Sequence, residues 1–488
     1  MNQRTVLRGC AIVFTVCTLV GCSKEKEDSV QYLNLSDIAC SFTGEGSAPF
    51  TVMVYASSDW TAESDASWAT VVDKTENSFT ITVDDNKENT ERVAKIALTA
   101  GALSKEVTVF QMASDAGYAR YRRLDAFQRL GAMSPNGRYV GGFTIKANAQ
   151  NGYDYFPVII DTETDEWRQL GGPYSTSLFW LWQAHVVSDK GEVFYKDQNT
   201  FGTIIFDFNG EFSYPDAPEG YDRMPTVQAT SLGGKYWVGY GQRTNGDLYR
   251  PIKWTDGVAE ELPMPDKDFR GYDFKTGLLA RGISANGEVI YGTTWENDDS
   301  GMVYWKNGEV KYVGHDVHEI TPVKLRDANG ELFDYNIASG VTCTAELTNI
   351  SATGTWIAGA YKKESEANNQ IIEEMDCPAF YNTETEKTTI FEDYNGYYAV
   401  TATDDGLGII QGRYAYASGI VVDIEAKCAI GSVSQWVYDN YGIVIPESSC
   451  IQYMNPERTA LLGVGTRTSV AGTTPFLWYL ASPVEAGM

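Results

Sequence analysis

Three histidines, 65 acidic residues and 12 tryptophans are the side chains of this chain best suited to chemistry. Their spacing decides what each class can do. His315 and His318 flank Asp316-Val317, a loop-like spacing that could clamp a metal ion. No third ligand at a fixed offset and no helical pattern accompany them, so the stretch reads as a solvated loop and no metal is expected. No G-x-S-x-G context supports a nucleophile for His185 or either partner, and no Ser-His-Asp arrangement is written. With so many acids any carboxylate pair is cheap, and none stands beside a motif that would set it up for glycoside hydrolysis. Oxygen-rich turns at Asp84-Asp85-Asn86 with Glu88, and at residues 296–301, lack EF-hand spacing. These residue types point away from catalysis and call for no cofactor.

Flat rings are the stronger candidates. Trp180, Trp182, Tyr397, Tyr398 and Trp436 fall between expected strands or near their ends, with Asp393, Asn395 and Asp439 close by in sequence. Sugar recognition needs apolar faces flanked by carboxylates and amides. Protein hot spots use the same rings, and packing between strands buries them. These five residues are the candidate ligand-binding set, for a glycan or a surface protein.

Charge narrows the partners further. A formal net charge of −27 repels nucleic-acid phosphates, so no nucleic-acid partner is expected. At the N-terminus Arg4 and Arg8 precede an apolar run, Ala11 to Val20, that is too short for a stable span. It ends in Leu19-Val20-Gly21-Cys22, which resembles the lipobox of bacterial lipoproteins. The resemblance implies a signal peptide at 1–21 and a lipid anchor on Cys22, holding the chain to the outer membrane. The acidic tether that follows, residues 22–31 beginning Cys22-Ser23-Lys24-Glu25-Lys26-Glu27-Asp28, resembles the surface-export signal of Bacteroidetes lipoproteins and implies exposure at the cell surface. Cys40, Cys343, Cys377, Cys428 and Cys450 remain after processing, an odd number without a C-x-x-C pair. Local Cys428–Cys450 or Cys343–Cys377 bridges are open, and buried thiols are the favoured reading.

The elements that must position these groups come from a repeat. In GISANGEVIYGTTW (282–295) a strand end runs through Asn286-Gly287 into a second strand, and the pair is read as two residues tolerating positive φ in a tight hairpin. The pattern recurs with anchors at Ser134, Ser188, Ser231, Ser284, Ser351, Thr403 and Asn455, about 53 residues apart on average. Glycine follows eight residues after the anchor except in the second and sixth copies, where Lys196 and Gln411 stand. A third strand follows each copy and a fourth usually does. That period is the signature of a propeller blade, and seven copies predict a seven-bladed β-propeller at 118–486. The seventh copy has no room for a fourth strand, so residues around 118–126 are expected to pair with 474–480 and close the ring. Long loops are expected at 314–341 and 362–376, and an aromatic one at 172–183.

Residues 32–113 break into short alternating strands that predict a β-sandwich. SSDWTAESDASWATVV with Trp60 and Trp68, ITVDDNKENTERVAKIALTAG, and VTVFQ ending at Gln111 resemble the BACON domain of Bacteroidetes proteins. The resemblance implies a small Ig-like sandwich, with a suspected carbohydrate role carried only in the family's name. Trp60 and Trp68 are expected in its core. The expected fold class is therefore all-β, a small Ig-like β-sandwich followed by the propeller. The function this supports is a non-catalytic cell-surface lipoprotein that binds a glycan or glycoprotein through propeller loops, with the sandwich as spacer. A protein–protein interaction scaffold at the outer membrane is the alternative, and a glycoside hydrolase or polysaccharide lyase the third.

Overall fold

The computed structural model describes residues 31–37, 39–42, 44, 46–88, 92–111, 121–124, 128–147, 153–175, 184–196, 202–221, 224–244, 246, 248–294, 301–343, 349–412, 419–443, 445, 450–469 and 472–481. Cys22, Trp180 and Trp182 lie outside these residues. The described chain is all-β apart from short helical turns and one α-helix, Val433–Tyr441.

Two four-stranded sheets come first. One has the order Leu33–Leu35, Phe50–Ala56, Ser78–Val83, Ala69–Val72, and the other Ala39–Phe42, Leu103–Gln111, Arg92–Ala100, Trp60–Ser64. Alternation makes them face each other: Ala94, Ile96, Leu98 and Ala100 are buried while Val93, Lys95, Ala97 and Thr99 are exposed. Trp60 enters the shared core against Phe79, and its indole N–H donates to Glu76 O at 2.9 Å. Trp68 packs at the core margin beneath the Arg92 guanidinium, 4.4 Å from its ring.

Seven antiparallel sheets follow in chain order among the described residues, the first six built from consecutive strands. The recurring anchors explain the repetition. All seven are buried, and each anchor N–H donates to the carbonyl four or five residues ahead at 2.8–3.0 Å. The anchor side chain then accepts a backbone N–H across the same turn. Ser134, Ser231, Ser284 and Ser351 take it from the fifth residue on at 2.9–3.1 Å, and Asn455 does so at 2.7 Å. Ser188 and Thr403 take it from the fourth, at 3.3 and 3.1 Å. Those two turns are one residue shorter, so Tyr195 and Ile410 take the place of the glycine and Lys196 and Gln411 fall one residue past it. Of the Asn286-Gly287 pair only Gly287 adopts positive φ (+78°), correcting the expectation that both do. The turn closes by Gly287 N–H to Ser284 O at 2.9 Å with the left-handed residue after it, the three-residue hairpin form.

The last sheet is completed from the other end of the array. Tyr121–Leu124 pairs with Gly472–Ala481, Leu480 opposite Tyr121 and Leu477 opposite Leu124. Met133, Val140 and Ile160 of the first sheet share a core with Ala460, Leu462 and Tyr479 of the last, so the array closes as a propeller-like ring.

Three features depart from the sequence reading. Residues 314–341 hold a hairpin, Glu319–Arg326 paired with Leu332–Thr342, and not a long loop. Residues 362–376 are the far end of a second hairpin, Trp356–Ala367 with Gln370–Asn382. Its sequence looks loop-like because both faces are wet and pairs such as Lys362–Glu373 (3.2 Å) and Lys363–Glu374 (3.4 Å) lace it. The α-helix is the third. Ser432 caps it by accepting Gln435 N–H at 3.1 Å, Val433, Val437 and Tyr441 form its buried stripe, and Gly442 ends it at φ +65°.

Candidate functional site: the central channel

Six of the seven innermost hairpins carry a register irregularity just before the anchor. A bulge of this kind leaves one residue outside the ladder and re-aims its side chain. The extra residue stands three before the anchor, at positions 131, 185, 228, 281, 400 and 452; the corresponding position of the fifth copy, 348, is outside the described residues. Glycine eight after the anchor allows the partner strand to press against the bulge. A Cβ on Gly239 would stand 1.9 Å from Thr226 O, and one on Gly292 would stand 2.2 Å from Leu279 O.

The consequence is a channel of about 440 Å³ down the middle of the ring, lined by residues of all seven sheets. Of the bulge residues, Gly131, Gln228, Arg281 and Gln452 line it, the last three with polar side chains. Val400 does not; it packs against Ala360 and Tyr398. Lys196, Thr226, Thr230, Asn349, Thr401 and Asn455 add polar groups to the wall, and Tyr240, Tyr291 and Tyr453 add rings.

Arg281 Nη1 donates to Gln228 Oε1 at 3.0 Å, joining the bulges of adjacent sheets. The Arg281 Nε and the Thr230 hydroxyl are buried without a hydrogen-bond partner. Burial lowers the Lys196 pKa from the ordinary lysine range, and the like charge of Arg281 lowers it further. Burial raises that of Tyr240, opposed by its hydrogen bond with Thr226 and by Arg281. Asp404 is the one carboxylate among the described lining residues, and it accepts from the Thr353 hydroxyl at 2.8 Å and the Thr353 N–H at 3.1 Å. Asp189 fastens neighbouring sheets together by accepting Asn136 N–H (2.8 Å) and Gly233 N–H (2.6 Å). Burial raises its pKa, and those two amides pull it back down.

The rings singled out from sequence are not brought together. Tyr397 and Tyr398 lie in the first strand of the sixth sheet, with Tyr398 buried and Tyr397 edge-on to Tyr394 at 5.8 Å. Trp436 lies on the helix, not between strands, half-buried against Tyr441 at 5.5 Å. His315 Nδ1 meets the Tyr381 hydroxyl at 3.0 Å, and His318 stacks on Phe269 with centroids 4.5 Å apart, so the two histidines serve separate contacts. Among the described residues no cluster of three metal-ligating side chains occurs. The five cysteines form no disulfide; Cys428 is exposed and the others are buried. Sequence reasoning missed Gln228, Arg281 and Gln452, although the repeat contained their signal: each stands three residues before an anchor.

Residues 58–112 match the BACON family model, described as "Putative binding domain, N-terminal". A search of the curated proteins finds no match. Among solved structures the chain is similar to the β-propeller domain of the Trilobed protease from Pyrococcus furiosus, at 11% identity and TM-score 0.34, covering 80% of this chain and 96% of that one. It is also similar to YCF48 bound to a D1 peptide, at 12% identity and TM-score 0.38, covering 76% and 97%. A quinonprotein alcohol dehydrogenase-like protein from Bacteroides thetaiotaomicron is a third, at 9% identity and TM-score 0.32, covering 80% and 93%.

Proposed function

We propose that this chain is a non-catalytic binding protein, a seven-bladed propeller carried on an Ig-like sandwich, that holds a glycan or the glycan of a glycoprotein. The domain limits follow the sequence: sandwich at 32–113, propeller at 118–486. The lipobox at Cys22 and its acidic tether make it an outer-membrane lipoprotein facing outward. One observation carries the reading: the channel is concave and combines amides, hydroxyls and tyrosine rings drawn from the third to the seventh sheets. That mixture suits a sugar, whose hydroxyls need paired donors and acceptors and whose ring faces need flat apolar partners. The match of residues 58–112 to a family described as a binding domain supports it. Tyr397, Tyr398, Trp436 and the indoles of Trp180 and Trp182 are a secondary set, since Tyr398 and Trp436 are committed to packing.

A partner protein is the second reading, favoured by Ile320, Leu332, Phe333 and Ile372. These apolar side chains are exposed on the two hairpins of the fifth sheet. A polysaccharide array probed with the whole processed chain separates the two. Binding that weakens in Gln452→Ala and Asn349→Ala supports the channel. No polysaccharide retained, with a protein partner recovered by pull-down, overturns the glycan reading. Fractionation of Cys22→Ala tests the anchor: release from the membrane fraction is expected, and continued fractionation with membrane refutes it.

A further inference from the structure

We propose that the channel holds an anionic group, a carboxylate, sulfate or phosphate, between Arg281, Lys196 and Gln228. The inference is independent of whether a neutral sugar binds elsewhere in the channel.

Three observations converge on it. The first is charge inversion. The chain carries 65 acids against 38 bases, yet this stretch of wall presents an arginine and a lysine, and neither belongs to an ion pair among the described residues. Two like charges held near each other inside a protein are costly unless something opposes them. Their mutual effect is visible in the lowered Lys196 pKa, for which burial is the larger cause and Arg281 the second. The lining carboxylate, Asp404, is already occupied by Thr353.

The second is unused donor capacity. Arg281 spends Nη1 on Gln228, while its Nε is buried and unpartnered. A guanidinium so held has donor capacity left for an oxygen of an anion. The third is construction. Gln228 and Arg281 are the bulge residues of adjacent sheets, and Lys196 comes from the sheet before them, where the shortened turn puts lysine one residue past the glycine-equivalent Tyr195. The Tyr195 hydroxyl donates to Gly142 O at 2.9 Å and fixes that strand end. The three groups thus sit on a rigid frame.

An anion could arrive as a uronate or sulfate ester on an oligosaccharide, or as a free inorganic ion. Calorimetric titration of the whole processed chain with inorganic phosphate, inorganic sulfate, a galacturonate oligomer, a sulfated oligosaccharide and a neutral oligosaccharide distinguishes these sources. Wild type is expected to bind at least one anion, and Arg281→Gln and Lys196→Met to weaken that binding about tenfold or more with circular dichroism unchanged. Preference for the sugar-borne anions assigns an acidic glycan; preference for phosphate or sulfate alone assigns a free ion. Anion binding by wild type with no polysaccharide retained on the array leaves this proposal standing and removes the glycan reading. No anion bound by wild type, or equal binding by wild type and both variants, overturns the proposal. Neutral glycan bound equally by wild type and Arg281→Gln, with no anion bound, overturns it while sparing the glycan reading.

Discussion

Ser284 stands for the seven anchors, and its part is structural. Its hydroxyl donates to Asn286 Oδ1 at 2.6 Å and accepts Val289 N–H at 3.0 Å, with the side chain fully buried. Removing the oxygen strands the buried Val289 N–H, while the exposed Asn286 Oδ1 keeps the Glu288 N–H at 3.1 Å. Ser284→Ala is therefore expected to cost about 1–3 kcal/mol in urea unfolding with the slope unchanged. A loss within a few tenths of wild type would show that water replaces the hydroxyl. Serine, threonine and asparagine all supply an oxygen at this reach, which is why the anchors are legible as a set despite differing in identity. The channel residues are not legible in the same way. The bulge position reads Gly131, His185, Gln228, Arg281, Val400 and Gln452, a sequence with no common chemistry. The bulge brings Gln228, Arg281 and Gln452 to the channel wall but not Val400, so neither the type nor the placement of that residue can be read from the repeat alone.

At the scale of elements, the sheets were readable because alternation and turn chemistry agree along each hairpin. The helix Val433–Tyr441 was not, because it is nine residues long in a strand-rich context and its apolar stripe is only three side chains deep. Its importance lies in what it touches. Phe110, on the last strand of the two N-terminal sheets, is fully buried and lies edge-on to Tyr438 at 5.4 Å. It shares a cluster with Val433, Val437, Tyr441, Ile443 and Trp478. The N-terminal sheets are thus fastened to the ring through this helix, a firmer connection than a spacer requires. Phe110→Ala should cost about 3–5 kcal/mol if the contact is fully formed. It should also split urea unfolding monitored by tryptophan fluorescence into two transitions, one for each set of sheets. A single transition at the wild-type midpoint would mean the contact contributes nothing to coupling.

At the scale of the whole molecule, the ring is closed by a strand from the opposite end of the array. Without Tyr121–Leu124, the strand Gly472–Ala481 would present an open row of backbone donors and acceptors. Closure also aligns the first and last sheets across the core of Met133, Val140, Ala460 and Leu462, and with it the two walls of the channel that Met133 and Leu462 line. The Arg122–Asp165 pair at 2.6 Å adds little on an exposed surface, so backbone pairing must do most of the fastening. In an antiparallel ladder neighbouring residues alternate in which edge their N–H addresses, so one of the amides of Arg122 and Arg123 faces the strand Gly472–Ala481. A double Arg122→Pro, Arg123→Pro variant removes both amides and cannot pair. Hydrogen exchange should then accelerate at 472–481 and at the neighbouring strand Ala460–Ser469, while Leu278–Ile283 and Val289–Thr294 across the ring keep their protection. Any anion or glycan affinity should fall along with it, since the channel wall loses its seventh side. Unchanged exchange at 472–481 would mean that the last sheet stands on three strands alone and that the ring needs no closing strand.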